Sequence, residues 1–352
     1  MKTFIALLLA VCCLSFPAQA KVFTVSNNNA TPTKYTTITS AITAASAGDT
    51  IYILGSPNVY DAITVAKKLA FFGPGFNPDK AVDAIPAMVP KITFSNAAAS
   101  GSEVNGVVVQ SGIFATANIS DLIITRNQVA GNIGNSSSAS YTYSGWTVSN
   151  NFIKGQLLYA HSSSYPLTIT NMLCENNVVN HTSSMMINVT GSGVVLLKNN
   201  LFIGTTGNAF TSCKNLMVEN NIFLNFTGSG LPDDSQAKNN LAHRAAGTLA
   251  TTFFPIKNAL TRDNILNKDP EFANLNLSDV TATSDFTLKS TSAAKNEGAD
   301  WREMGVFGGN PAANWAYANM PRLPYIHSFT LETTTVTTRG TLKITIVSKS
   351  HE

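Results

Sequence analysis

The side chains best suited to acid-base chemistry stand in one stretch of the sequence. Asp233 and Asp234 form the only adjacent aspartate pair, and His243 and Arg244 follow shortly after them, with Lys214 one repeat earlier. Carboxylates beside a histidine and cationic groups could transfer protons and bind a charged substrate. The surrounding Leu-Pro-Asp-Asp-Ser sequence is equally typical of a turn, because Pro, Asp and Ser favour turn conformations. Both interpretations stay open at this point.

Aromatic residues in two serine-rich stretches form a second candidate site. The stretches span residues 132–145 and 159–168 and are expected to leave the same corner of adjacent repeats. Aromatic rings can stack on the faces of sugars while Ser and Asn form hydrogen bonds, so the stretches could bind an extended glycan. The alternative is that the rings only cover the core. The candidates are Tyr141, Tyr143, Tyr159, His161 and Tyr165.

The histidines follow no pattern typical of a metal site. His161, His181, His243 and His327 are scattered, and the sequence has no His-Glu-x-x-His motif and no glycine-rich calcium repeat. We therefore expect no metal site and no evident cofactor.

A repeated phrase positions these candidates. Seven times between residues 127 and 264, alternating apolar residues lead to an Asn or an Asn-Asn pair and then to further apolar residues, with a spacing of 19 to 26 residues. A period of this length indicates a solenoid of stacked coils. The final asparagines of the phrases, called the ladder below, are Asn127, Asn151, Asn177, Asn200, Asn221, Asn240 and Asn264.

Apolar residues recur five and three positions before each ladder asparagine and two positions after it. In the phrase around Asn200 they are Val195, Leu197 and Phe202. A helix would not bring this spacing to one face, whereas short strands with alternating side chains do. The pattern predicts an all-β fold whose coils stack as parallel strands about 4.8 Å apart.

The ladder is expected to be structural. Its asparagines should take left-handed or turn-like backbone conformations and stack amide on amide inside the coil. Replacing Asn200 with Leu should then cost roughly 1 to 3 kcal/mol. Two positions before the ladder, Glu175, Lys198, Glu219 and Lys238 alternate in charge. This column predicts ion pairs along the outer face, with a charged binding groove as the alternative.

The N-terminal residues indicate export. Lys2, an apolar run over residues 4–14 and the small residues around Ala20 are typical of a signal peptide, residues 1–20, cleaved after Ala20. Lipidation of Cys12 is the alternative. The protein is thus expected to be secreted, periplasmic or at the cell surface. Of the remaining cysteines, Cys174 and Cys213 lie two coils apart, about 10 Å, which predicts two buried free thiols.

Composition excludes several partners. Charged residues make up 12% of the chain, half of the usual value of about 25%. Removal of the signal leaves 22 basic and 20 acidic side chains, and no basic tract suggests nucleic acid. No later stretch has the roughly 18 apolar residues that a transmembrane helix needs.

The two ends of the repeat carry a family resemblance. At the N-terminal end, YTTITSAITAASAGDTIYI leads to ITVAKKLAFFGPG, and residues 40–47 within it have helical periodicity. At the C-terminal end, DNILNKDPEFANL is followed by DFTLKSTSAAKNEGAD. These segments resemble the opening and closing sections of secreted bacterial proteins of the pectate-lyase-like superfamily. The resemblance implies a right-handed single-stranded parallel β-helix over residues 21–309. The periodicity of residues 40–47 predicts a short amphipathic helix that caps its open N-terminal end. Residues 310–352 are expected to form a C-terminal cap or β appendage whose strands could join a partner's sheet edge.

The resemblance implies work on polysaccharides but leaves catalysis open. Lyases of this superfamily neutralise a uronate with calcium or Arg, and its hydrolases place carboxylates around the glycosidic bond. Neither the Asn-Thr-Asp nor the Gly-His-Gly run of the hydrolases occurs in this sequence. We expect a non-catalytic protein that binds polysaccharide or a cell-surface glycan. A polysaccharide lyase, for which calcium would be possible, or a glycoside hydrolase is the alternative.

Overall fold

Parallel strands stacked along one axis form most of the structure. The computed structural model describes residues 20–77, 85–228, 234–254, 260–318, 325–331 and 343–349. The chain makes about nine turns, and the strands of successive turns pair in parallel. The predicted all-β parallel solenoid is therefore confirmed, and eleven strands at about 4.8 Å spacing give a rod about 50 Å long.

Each full coil contributes one strand to each of three sheets, and strands are numbered here along the chain. Sheet I has eleven strands: β1 (Val22–Val25), β2 (Thr50–Ile53), β4 (Ala70–Phe72), β7 (Glu103–Asn105), β10 (Ile123–Thr125), β14 (Thr147–Ser149), β18 (Met172–Glu175), β22 (Val195–Lys198), β25 (Met217–Glu219), β27 (Gln236–Lys238) and β29 (Leu260–Arg262). Sheet II has nine: β5 (Met88–Val89), β8 (Val108–Val109), β11 (Gln128–Val129), β15 (Phe152–Ile153), β19 (Val178–Asn180), β23 (Leu201–Ile203), β26 (Ile222–Leu224), β28 (Leu241–His243) and β30 (Ile265–Leu266).

Sheets III and IV complete the coil. Sheet III has seven strands: β3 (Ile63–Val65), β6 (Ile92–Phe94), β9 (Ile113–Ala115), β12 (Ile133–Gly134), β16 (Leu158–Tyr159), β20 (Met186–Ile187) and β24 (Phe210–Thr211). Sheet IV adds a fourth side to three coils: β13 (Tyr141–Ser144), β17 (Leu167–Thr170) and β21 (Val189–Gly191).

The ladder lies inside the corner between sheets I and II. The Nδ2 of Asn177 donates to the Oδ1 of Asn200 over 3.0 Å, and the backbone N–H of Asn177 donates to the same oxygen over 3.0 Å. The same pair of bonds joins every neighbouring pair from Asn127 to Asn264. The predicted ladder of mutually bonded amides is confirmed.

The left-handed backbone, however, belongs to the residue before each ladder asparagine. These seven residues have φ between 51° and 59°, and they are called the outer column below: Arg126, Asn150, Asn176, Asn199, Asn220, Asn239 and Asp263. A single left-handed residue turns the chain sharply at the corner and directs its own side chain outward, while the next residue resumes extended geometry and points inward. Asn tolerates this conformation better than most residues, which explains the Asn-Asn pairs.

Apolar side chains fill the coil as the columns predicted. Val195, Leu197 and Phe202 are fully buried, and so are their equivalents in neighbouring coils. Cys174 occupies one of these inward positions, and both it and Cys213 are free and buried, as expected.

A short helix covers the N-terminal end. Helix α1 (Ile38–Ala44) begins after Thr37, whose side chain accepts from the backbone N–H of Ser40, and both carboxylate oxygens of Asp61 accept from the first turn. These caps place the helix two residues earlier than the sequence suggested. Ile38 and Ala41 are buried against the first coils.

After β30 the chain folds back along the outside of sheet II instead of continuing the coils. This segment, residues 267–318, is called the strap, and residues 267–309 were expected to close the solenoid. Met304, Val306 and Trp315 of the strap pack on outward side chains of sheet II such as Leu201 and Ile222, which gives a second apolar core. Strands β23 and β26 of sheet II are therefore buried on both faces, as their continuous apolar triplets require.

The outer column fastens the strap. Asn176 Nδ2 donates to the carbonyls of Val306 and Gly308 over 2.8 and 3.1 Å, and Asn150 Nδ2 donates to Ala313 O over 2.9 Å. Asn199 lies under Gly308, and neither amide atom of Asn199 has a partner among the described residues.

The described part of the C terminus is an antiparallel strand pair, β31 (Tyr325–Leu331) and β32 (Ile344–Lys349). It agrees with the expected β appendage. Ile344 and Ile346 are exposed. Within the described residues, no helix has the length and apolar character needed to cross a membrane.

Candidate functional site

The acid-base candidates do not converge. Asp233 lies outside the described residues. Asp234 is exposed, has φ of 51° and precedes β27 at the corner where Asn215 of the coil before it has φ of 57°. Lys214 is exposed and adjacent to Asn215. Asp234 is therefore a turn residue of a regular corner.

The two remaining candidates stand across the ladder corner from Asp234. His243 ends β28 half-buried, in register with Leu224, and Arg244 follows it. Arg244 lines a depression of about 290 Å³ together with Asn180, Thr205 and other residues, but with no carboxylate. A whole coil corner separates these side chains from Asp234, so they do not form one acid-base site.

The small inward residues Ala237 and Ala242, which lie between Asp234 and His243, do not create a depression beside the acid-base candidates. Ala237 and Ala242 leave room inside the coil, but Phe253 and Phe254 of the next coil enter it. Their rings lie 6.0 and 5.9 Å from that of Phe223, in edge-to-face geometry. The aromatic rings thus fill the space that the small side chains leave inside the coil.

The serine-rich stretches do leave one corner of adjacent coils. The first connects β12 to β13, the second connects β16 to β17, and each pair of strands stacks on the other. Part of the first stretch became β13 because Tyr141 and Tyr143 alternate with polar residues and pair with Leu167 and Ile169.

Two of the five aromatic candidates face the interior. Tyr143 is fully buried, donates from its hydroxyl to Ala115 O over 2.7 Å and stacks on Trp146 at 4.2 Å between ring centres. Burial raises the pKa of the Tyr143 hydroxyl above its ordinary value. Tyr141 points to the same side and is half-buried against the core. Tyr143 is thus unavailable to a ligand.

The other three candidates share one turn. The Tyr159 hydroxyl donates to the carbonyl of His161 over 3.2 Å, and the rings of His161 and Tyr165 lie 6.3 Å apart. His161 is exposed, whereas the two tyrosines are half-buried. This turn, called the aromatic turn below, therefore combines an exposed imidazole with two half-buried tyrosine rings, beside the serines at positions 162–164.

The alternating charges of the outer face stack in register but do not pair. Glu175, Lys198, Glu219 and Lys238 are successive partners across sheet I. An ion pair joins Lys295 and Glu303 of the strap, but none joins the described members of this column, so its predicted ion pairs are wrong. Short strands hold the backbones in register, while these half-buried side chains do not come within ion-pair distance of one another. Burial raises the pKa of the Glu175 carboxyl, and Lys198 partly opposes this shift.

A further exposed aromatic residue lies on the strap. Trp301 has φ of 61° and 86% of its surface exposed. Two depressions adjoin it, of about 350 and 450 Å³. Repeat analysis misses this residue because it lies outside the coils. The available signal was a lone Trp in the polar sequence Asn-Glu-Gly-Ala-Asp-Trp-Arg-Glu.

No cluster of three or more His, Cys, Asp or Glu side chains suited to a metal ion occurs within the described part of the chain.

A scan against protein-family models found no match to this sequence, and a search of curated proteins found none either.

Proposed function

We propose that this protein is exported and binds polysaccharide without cleaving it. The single observation that carries the proposal is the aromatic turn, where Tyr159, His161 and Tyr165 stand at one solvent-facing corner of a rigid rod. Rings supply sugar-stacking faces, and neighbouring serines supply hydrogen bonds at low ordering cost, because the coils below hold the turn. Membership of the pectate-lyase-like superfamily is part of the same proposal, supported by the parallel solenoid and its ladder.

The absence of a converging acid-base site among the described residues favours binding over catalysis. Lyases and hydrolases both require charged groups gathered around one bond. Asp234 and Arg244 instead stand at different corners of their coil.

A binding screen with matched variants tests the proposal. Purified protein without residues 1–20 would be incubated with insoluble or immobilised acidic and neutral polysaccharides, and the bound fraction measured. Tyr165→Ala should weaken retention at least several-fold, whereas Tyr35→Ala, a half-buried tyrosine at the far end of the rod, should not. Equal retention of the two variants would contradict the role of the aromatic turn.

A lyase assay on the same preparation tests the absence of catalysis. Pectin, alginate and glycosaminoglycans would be incubated with the protein, with and without calcium, and the absorbance of unsaturated products followed. We expect no product. Steady formation of unsaturated ends would replace the binding proposal with the lyase alternative.

A further inference from the structure

The turn that carries Trp301 is fixed to the solenoid at several points. The backbone N–H of Gly298 donates to Arg302 O over 2.7 Å, and that of Trp301 donates to Gly298 O over 2.9 Å, so the turn closes on itself. Its N-terminal side is bonded to the outer column, with Asn239 Nδ2 donating to Glu297 O and Ala299 N–H donating to the Asn220 Oδ1. The indole is therefore presented by an anchored turn.

The exposure of Trp301 is unusual in this chain. The other two tryptophans, Trp146 and Trp315, are 1% and 5% exposed, whereas Trp301 is 86% exposed. A bulky residue in the left-handed region is strained, and such strain persists where the surrounding structure imposes it, often at ligand sites. Trp301 thus combines a left-handed backbone with an exposed ring, in a turn that hydrogen bonds hold in place.

Hydrogen-bonding groups surround the indole on both sides. The depression of about 350 Å³ is lined by Lys238, Asn239, Asp263 and Glu297. The depression of about 450 Å³ is lined by Arg302, Asn314 and the paired Lys295 and Glu303. Asn296 and Trp301 border both depressions, so one ligand could lie across the indole with a unit on either side. Both volumes are within the usual range of small-molecule sites.

We propose that Trp301 is the platform of a second binding site, and that this site takes neutral, hydroxyl-rich sugar chains. An indole can stack on the apolar face of a pyranose, and the exposed carboxylates of Asp263 and Glu297 can accept hydrogen bonds from sugar hydroxyls. In the depression of about 350 Å³ the same two carboxylates face a single cation, Lys238, so a uronate placed there is repelled. In the other depression Lys295 is paired with Glu303 and Arg302 donates to Gly309 O, so these cations are already engaged. The arrangement therefore favours neutral sugars over acidic ones.

The site is independent of the aromatic turn. Tyr165 belongs to the coil of Asn177, whereas Lys238 and Asp263 belong to the coils of Asn240 and Asn264. Three to four coils correspond to about 14 to 19 Å along the axis. The two sites also lie at different corners of the coil, so each can be removed without disturbing the other.

Tryptophan fluorescence tests the proposal directly, because Trp301 is the solvent-exposed indole. The full chain without residues 1–20 would be titrated with neutral β-1,4-linked hexasaccharides of glucose, mannose and xylose, and with galacturonate hexamer. We expect saturable changes with at least one neutral chain and weaker binding of the galacturonate hexamer. Trp301→Ala should raise the Kd, measured by calorimetry, at least about tenfold. Trp301→Phe should restore part of the affinity.

Two further variants separate the outcomes. Tyr165→Ala should leave binding at the Trp301 site unchanged, so loss of one site does not report on the other. Asp263→Asn with Glu297→Gln should raise the affinity for galacturonate relative to neutral chains. Failure of every neutral hexasaccharide to bind, or an unchanged Kd in the Trp301→Ala variant, would overturn the proposal.

Discussion

Replacing Asn200 by leucine in the middle of the ladder is expected to destabilise the solenoid by about 4 kcal/mol. The Asn200 side chain takes part in four hydrogen bonds: it accepts twice from Asn177, and it donates to Cys174 O and to Asn221 Oδ1. At about 1 kcal/mol net for each bond, the loss is larger than the 1 to 3 kcal/mol expected from the sequence. Leucine has the same branched arrangement of four side-chain heavy atoms and is larger, so the substitution leaves no cavity and removes the hydrogen bonds.

Equilibrium unfolding in urea measures this loss. Far-ultraviolet circular dichroism would follow the strands, and fluorescence would follow the buried Trp146. With an m-value of about 3 to 4 kcal/mol/M, at or just above the upper end of the range for small proteins, the midpoint should fall by about 1 M. Lys198→Leu, on the outward face of β22 two residues before Asn200, should change the midpoint little. A loss below about 1 kcal/mol in the Asn200→Leu variant would refute the argument that the ladder bonds stabilise the fold.

Three further predictions concern the outer column, a half-buried carboxyl and the thiols. Asn176→Gly should lower the free energy of unfolding in urea by about 1 to 3 kcal/mol, because two hydrogen bonds to the strap are lost. Asn199→Gly should cost clearly less, because Asn199 is equally buried and left-handed but its amide has no hydrogen-bond partner among the described residues. The pKa of the Glu175 carboxyl is raised in the folded state, so the free energy of unfolding should fall as pH rises from about 4.3 through the folded pKa. Glu175→Gln should flatten the dependence of Tm on pH over this range, and an unchanged slope would contradict this. Burial raises the pKa of Cys213 to about 11 and that of Cys174 further, so neither thiol should react with a thiol reagent at pH 8 until urea unfolds the chain.

Much of the fold follows from local periodicity, and the ladder shows why. The residues that stack in Asn151, Asn177 and Asn200 are one coil apart, so a simple alignment of the repeats brings them into register. The strap could not be predicted in this way, because Asn176 contacts residues 130 and 132 positions later. Nothing in the spacing of Asn176 distinguishes a bonded amide from a solvated one.

The positions of the candidate site residues were likewise predictable only in part. Tyr143 aligns with Ile169 and could have been placed inward from the sequence, because an apolar partner in the stacked strand indicates a core position. Tyr165 and His161 lie in a turn without a partner in the next coil, so their exposure required coordinates. Trp301 stands outside every repeat, and a single aromatic residue has no periodicity from which its direction can be deduced.

The strap has a consequence for how this chain can change in length. Between Glu297 and Ala313 it meets the outer column at Asn239, Asn220, Asn176 and Asn150 in turn, one strap segment for each coil it bonds. A solenoid without such a segment can gain or lose a coil freely, since each coil contacts only its neighbours. Here, duplication of one coil would move every later asparagine by about 4.8 Å relative to its strap carbonyl. The number of coils in this part of the molecule is therefore coupled to the length of the strap, and the two can change only together.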